Sequence, residues 1–199
     1  MKIKYLGHSC FLLSDGAKSL LIDPYKDGSV NGLRPLRVIA SKVICTHDHA
    51  DHSGVECATI LQPAEFDIQE IASWHDNQGG ALRGPNTMFV ITMGGLKIAH
   101  LGDLGCVLND EQRAKLANLD VLMIPVGGHF TINAFQAAGI AHELQPKLTI
   151  PMHYRGDDYG YDVLAKVDDF VRLSSNVENC GNEIDPAEHS GVVVMDFER

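Results

Sequence analysis

The segment THDHADHSG, residues 46–54, limits this chain more than any other stretch of it. Its HxHxDH core puts His47, His49, Asp51 and His52 within six consecutive positions. The apolar residues 43–45 read as a strand leading into the loop, and a helical pattern leaves it after Gly54. Imidazole nitrogens and carboxylate oxygens at this density suit a divalent metal ion, zinc first, with manganese, nickel and iron(II) also compatible. Four donors so close together crowd one tetrahedral ion, but they divide readily between two ions a few ångströms apart. A solvated polar turn is the bland alternative, and it leaves the crowding unexplained. Any fold for this chain has to hold the loop rigidly and bring further ligands to it.

Three other positions can complete the set. His75 in SWHDNQGGALRGPN follows an apolar stretch ending at Trp74, Asp103 sits between glycines in HLGDLG, and His153 ends the apolar run in TIPMHY. Taken singly, a histidine or aspartate at a strand end is more often structural than functional. Taken with the HxHxDH loop, these three supply the missing donors, each at or just past a strand end where a sheet can fix it.

The remaining pattern is that of one globular domain spanning residues 1–199, with 45% hydrophobic and 21% charged residues. Strands are predicted at 3–6, 10–13, 19–22, 43–45, 88–92, 96–100, 121–125, 148–150 and 192–197. Helices are predicted at 55–61, 110–117, 133–144 and 162–173, the third carrying Ala134, Ala137, Ala138, Ala141 and Leu144 at helical spacing. Hairpins first, then strands alternating with helices, point to mixed sheets with helices packed outside them. No apolar run is long enough to cross a membrane. The start, MKIKYLGHSCFLL, is broken by Lys4, Gly7 and His8, so a secretion signal is not expected and the cytoplasm is the default location. Five scattered cysteines, none in a CxxC pair, read as small apolar residues of a reducing compartment. A net charge of −10 without a Lys/Arg cluster argues against a nucleic-acid partner.

The order HxHxDH, then His, then GD, then His at a strand end resembles the metallo-β-lactamase superfamily. More closely, LGHSCFLL, IDP, HDNQGGALRGPN, HLGDLG, PVGG and PMHY resemble its small metal-dependent hydrolases near L-ascorbate-6-phosphate lactonase, from Ile3 to about Asp162. The resemblance implies an αββα sandwich of two mixed sheets with outer helices. It implies that His47, His49 and His75 hold one divalent ion, that Asp51, His52 and His153 hold a second, and that Asp103 bridges them. Superfamily members using iron for oxygen chemistry tend to carry Glu where His49 stands, so the resemblance favours zinc. Asp51 and Asp103 are then the catalytic carboxylates. Asp51 orients a metal-activated hydroxide that attacks a small, anionic ester or lactone, and no Ser or Cys nucleophile is needed. A phosphodiesterase or nuclease on the same site, and a metal-binding protein without turnover, are the alternatives. A small-molecule substrate is the expected partner, and a homo-oligomer is compatible with this reading.

Supporting residues have two readings each. Asp23 in LLIDPY is either a carboxylate that shapes the HxHxDH loop or a turn-forming Asp-Pro. His8, in the first hairpin turn near the rim of the site, is either a substrate contact or a structural histidine. His100 reads as a core or supporting residue. Arg83, a short glycine-rich loop beyond His75, is either a partner for a substrate phosphate or carboxylate or a solvated arginine, and Arg155 is a weaker version of the same idea. In PVGGHFTINA, exposed amides can hold an anionic group, Thr131 or Asn133 can cap the next helix, and His129 either touches substrate or faces water.

Overall fold

The computed structural model describes residues 1–198. Its first layer grows from a meander: β1 (Lys2–Gly7), β2 (Cys10–Ser14) and β3 (Ser19–Ile22) run antiparallel in that order. Period-two alternation puts Ile3, Leu13 and Leu20 side by side on one face, and Tyr5, Phe11 and Ile22 beside them. All six are buried in one cluster, with the Tyr5 and Phe11 rings stacked at 4.8 Å. Side chains buried this fully contribute about 1.5–3 kcal/mol each.

The chain then forms β4 (Val38–Ala40), β5 (Lys42–Ile44) and β6 (Ala58–Ile60). β5 joins β3 in parallel, while β4 and β6 make a separate two-stranded ribbon. A second meander follows in β7 (Asp67–Trp74), β8 (Pro85–Met93) and β9 (Leu96–His100). From α1 (Asp110–Lys115) the pattern changes to alternation, through β10 (Val121–Pro125), α2 (Ala134–Leu144), β11 (Leu148–Met152) and α3 (Asp168–Val171). β12 (Val177–Cys180), β13 (Glu183–Ile184) and β14 (Gly191–Met195) complete the set.

Two mixed sheets result, of order β13-β1-β2-β3-β5 and β12-β14-β11-β10-β9-β8-β7. Every residue of β10 and β11 is buried, as parallel strands covered on both faces require. Val121, Met123, Leu148, Ile150 and Met152 fill the space between the sheets. Leu122 and Ile124 point the other way, into a second cluster with Ala134 and Ala137 of α2 and Phe170 of α3. Asn109 and Asn133 start α1 and α2 with reciprocal capping boxes to Gln112 and Gln136. This is the expected layered sandwich, with a thinner outer cover on the smaller sheet. There Tyr25, Val30, Leu36, Ala40 and Cys57 pack over Cys10 and Leu21 from loops and the β4–β6 ribbon.

Two predicted helices are corrected. Residues 55–61 form only a 3-10 turn, Val55–Cys57, before β6 pairs with β4; the β-branched Thr59 and Ile60 suit that strand better than a helix. Residues 162–173 shorten to α3 because the backbone before it is already used. Ala165 N–H donates to Gly127 O, and Arg155 N–H to Ala165 O.

Candidate metal centre

Six strand ends or turns open on one edge of the sandwich, and each delivers a polar residue. The β1–β2 turn brings His8, β3 brings Asp23, β5 the 46–54 loop, β7 His75, β9 Asp103 and β11 His153. Asp23, fully buried, shapes the loop. Its Oδ1 accepts the Thr46 N–H at 2.7 Å, and its Oδ2 faces Thr46 Oγ1 and His52 Nδ1, both at 2.7 Å. The shaping role therefore accounts for its geometry better than a simple Asp-Pro turn. Backbone bonds from Lys26 N–H to Ala50 O and Gly54 N–H to Pro24 O staple the loop to the segment after Asp23.

Asp103 stands at the centre, 1% exposed. Its Oδ2 lies 3.1 Å from His75 Nε2, 3.1 Å from His153 Nε2 and 3.9 Å from His47 Nε2, and its Oδ1 lies 3.1 Å from His52 Nε2. Its backbone N–H donates to Asn86 Oδ1 at 2.9 Å. Asn86 in turn donates from Nδ2 to Ser73 Oγ and Leu101 O, which fixes the amide from behind. Gly102 has φ +55, and a Cβ there would collide with Asn86 Oδ1 and the Thr46 side chain.

The donors fall into overlapping groups whose ligand atoms lie within 4.8 Å of one another: His47, His49 and His75; His8, Asp51, His52 and His153; and His47, His52 and Asp103. All seven residues assigned as ligands from the sequence thus lie in one connected cluster. Their pairing geometry fits a metal rather than a hydrogen-bond network. Nε2 of His47, His52 and His153, and Oδ1 of Asp103, are buried without a hydrogen-bond partner. Nitrogens and oxygens about 3 Å apart but misaligned for N–H···O bonding are what a shared cation between them would require. Three of the opposite ring nitrogens are held where a ligating histidine needs them, His52 Nδ1 by Asp23, His75 Nδ1 by Phe130 O at 3.1 Å, and His47 Nδ1 by Thr46 Oγ1 at 2.9 Å, whereas His153 Nδ1 is buried without a hydrogen-bond partner.

The electrostatics express the same demand for a cation. Burial alone would raise the Asp103 carboxyl, but the imidazoles of His153 and His52 hold it well below the usual carboxylate range. Burial opposes charge on His52 too, yet Asp103 and Asp23 push its pKa well above 6.5. In the metal-free protein, a proton on His52 stands between these two buried carboxylates. His47 is lowered to about 4, chiefly by burial and then by His52. Burial would raise Asp51, but the hydrogen bond from His8 and the charge on His52 drive it far down.

A cavity of about 380 Å³ opens over this cluster, lined by His49, Asp51, His75, Arg83, Asp103, Phe130 and Tyr161. The Arg83 guanidinium lies 5.4 Å over the Phe130 ring and has no ion-pair partner among the described residues. Tyr161, absent from the sequence reading, donates its OH to Ser29 O at 2.9 Å. Asp76 was also missed. It follows His75 and accepts the backbone N–H groups of Gln78, Gly80, Leu82 and Arg83, which against the upward push of burial hold its carboxyl at about 2.

For the other residues the structure decides between the readings the sequence left open. His8 is not on the cavity wall: it is 2% exposed, with Nε2 3.1 Å from Asp51 Oδ2. His129 is exposed, packed edge-on to Phe130 at 4.5 Å, and outside the cavity lining. The PVGG amides do not await an anion, because Gly128 N–H donates to Ile132 O, and the Phe130 and Thr131 N–H groups donate to Gly128 O. Asn133, rather than Thr131, caps α2. Arg155 donates its Nε–H to Leu164 O and its Nη1–H to Gly156 O, as a structural residue does. His100 is fully buried, its Nε2 on Ser9 O and its Nδ1 accepting the Gly102 N–H.

Comparison with known proteins agrees with this geometry. A family model described as the beta-lactamase superfamily domain matches residues 2–153. A UPF0173 metal-dependent hydrolase of Staphylothermus marinus is 33% identical over 191 residues, covering 76% of this chain and 82% of that protein. One from Archaeoglobus fulgidus is 29% identical over 195 residues, covering 77% and 83%. A crystal structure from Thermotoga maritima, assigned to the Zn-dependent hydrolases of the metallo-beta-lactamase superfamily, superimposes with a TM-score of 0.77. It is 32% identical and covers 99% of each chain.

Proposed function

The chain belongs to the metallo-beta-lactamase superfamily and, within it, to the UPF0173 metal-dependent hydrolases. From that premise we propose that it hydrolyses a small anionic ester or lactone at a centre of two divalent ions, with zinc as the metal to try first. His47, His49 and His75 would hold one ion, Asp51, His52 and His153 the other, and Asp103 would bridge them. When bound, such ions supply a water acidified to near-neutral pKa and a Lewis-acidic contact for the scissile carbonyl. The rest falls to the chain's own groups. Asp51, the member of the buried ligand group that also lines the cavity, orients the attacking water. The rings of Phe130 and Tyr161 exclude bulk solvent and give the substrate an apolar surface.

The observation that carries the anionic substrate is Arg83. A guanidinium on the cavity wall, braced on an aromatic face and without a carboxylate partner among the described residues, is a ready site for a carboxylate or phosphate. The motif resemblance to L-ascorbate-6-phosphate lactonase supports placing lactones first among the candidates. A net charge of −10 and one guanidinium on this wall favour a small ligand over a nucleic acid. Five free thiols support action in a reducing, cytoplasmic setting.

The test is a turnover screen of the zinc-, manganese- and nickel-loaded protein on anionic and neutral lactones, carboxylesters and bis(p-nitrophenyl) phosphate. Robust turnover of anionic lactones or carboxylesters is expected. Phosphodiester turnover alone would shift the assignment to the phosphodiesterase alternative, and silence across all panels would favour a metal-binding protein without turnover.

A further inference from the structure

We propose that His8 is a positioning residue for Asp51: its Nε2–H holds one carboxylate oxygen, leaving the other to face the reaction. The proposal rests on the hydrolase reading for its kinetic consequence, but not for its geometry.

His8 belongs to the same group of ligand-type atoms as Asp51, His52 and His153, and its Nε2 differs from theirs in one respect. Nε2 of His52 and His153 is buried without an aligned partner, whereas His8 Nε2 makes a hydrogen bond of 3.1 Å to Asp51 Oδ2. An ionised carboxylate only accepts, so the proton of this bond sits on the imidazole Nε2. A nitrogen carrying a proton toward Asp51 has no lone pair to offer a metal. Through Nε2, His8 therefore acts on Asp51 rather than on an ion, while its Nδ1 is buried without a hydrogen-bond partner.

The backbone around His8 is built for that aim. His8 has φ +56, a left-handed conformation that histidine tolerates better than most residues with a Cβ. Its carbonyl accepts the Tyr5 OH at 2.8 Å and the His153 N–H at 2.9 Å, which ties the turn directly to a ligand residue. The two imidazole rings lie 4.2 Å apart. His8 and Asp23 thus play opposite parts: Asp23 accepts from His52 to aim an imidazole, and His8 donates to Asp51 to aim a carboxylate.

His8→Gln and His8→Asn separate this role from a structural one. Both side chains tolerate the backbone and carry an amide N–H, but only glutamine reaches the position of Nε2; asparagine stops near that of Nδ1. His8→Gln is expected to keep kcat within about threefold, and His8→Asn to lower it about 10–100-fold with little change in KM, the range for loss of a supporting partner. Zinc content should equal that of the unsubstituted protein in both. Independently of turnover, imidazole ¹H–¹⁵N spectra of the metal-free protein should show His8 protonated at Nε2. The proposal is overturned by a bare Nε2, by loss of one zinc in His8→Gln relative to the unsubstituted protein, or by equal kinetic losses in the two variants. If no substrate is ever turned over, the hydrolase reading fails, while the spectra and zinc contents still decide the role of His8.

Discussion

At one end of the ligand cluster His49 and His75 line the cavity, with His49 exposed to solvent, and His47 is turned inward beside Asp103. At the other, His52 and His153 are fully buried, with His8 and Asp23 packed behind them. The first end is steadied by a hydroxyl and a backbone carbonyl, from Thr46 and Phe130, while at the second His52 rests on the buried carboxylate of Asp23. On the two-ion reading proposed above, the exposed end is the entry position, loaded and emptied through the cavity, and the buried end is part of the core.

The sharpest way to break this comparison is at the residue both ends share. Asp103→Ala should lose metal from both ends, and activity by far more than the ~10–100-fold typical of an outer partner; metal analysis showing full content would undo the bridging assignment. Next comes a contrast of stabilities in the metal-free protein. His52→Ala strips the buried Asp23 and Asp103 carboxylates of the imidazolium between them and should cost about 3–5 kcal/mol in denaturant unfolding. His49→Ala should change stability by no more than about 0.5 kcal/mol while still removing metal.

The two ends should also differ in pH response when metal is absent. His52 has a folded-state pKa above 6.5, so its stabilisation is complete below 6.5 and fades as pH rises through the elevated value. His47 is lowered to about 4, so its contribution is complete above 6.5 and is lost as pH falls from 6.5 toward 4. Melting temperatures across pH 4–9 should therefore fall at both extremes, and His52→Gln should remove the alkaline limb alone. The smallest effect belongs to Arg83→Ala, a rise of about tenfold in KM for anionic substrates, worth about 1.4 kcal/mol, with neutral ones unaffected. Equal effects on both substrate classes would remove Arg83 from substrate binding.

Legibility followed how locally each feature is encoded. His47, His49, Asp51 and His52 declare themselves because a single loop carries them, and His75, Asp103 and His153 because strands end at them. The inter-sheet core was equally readable, since β1, β2 and β10 spell it in short apolar runs. What escaped depends on tertiary approach. Asn86 behind Asp103, the Phe130 carbonyl on His75, and Tyr161 over the cavity have no local signature, because each is defined only by what folds against it. β7 reads in the sequence merely as an apolar stretch, because only alternate residues near its end, Ile71 and Ser73, are buried. Residues 55–61 and 162–173 show the reverse error, in which helical spacing gave way to backbone bonds with distant segments.

The Asp76 carboxylate has a consequence beyond holding its loop still. It gathers amide groups from both limbs of the loop, Gln78 and Gly80 on one side, Leu82 and Arg83 on the other, one residue past His75. The loop is thereby a closed knot tied next to the metal ligands but not through them. Its outer residues can be exchanged during divergence, retuning which molecules are admitted, while the catalytic machinery beneath is inherited intact.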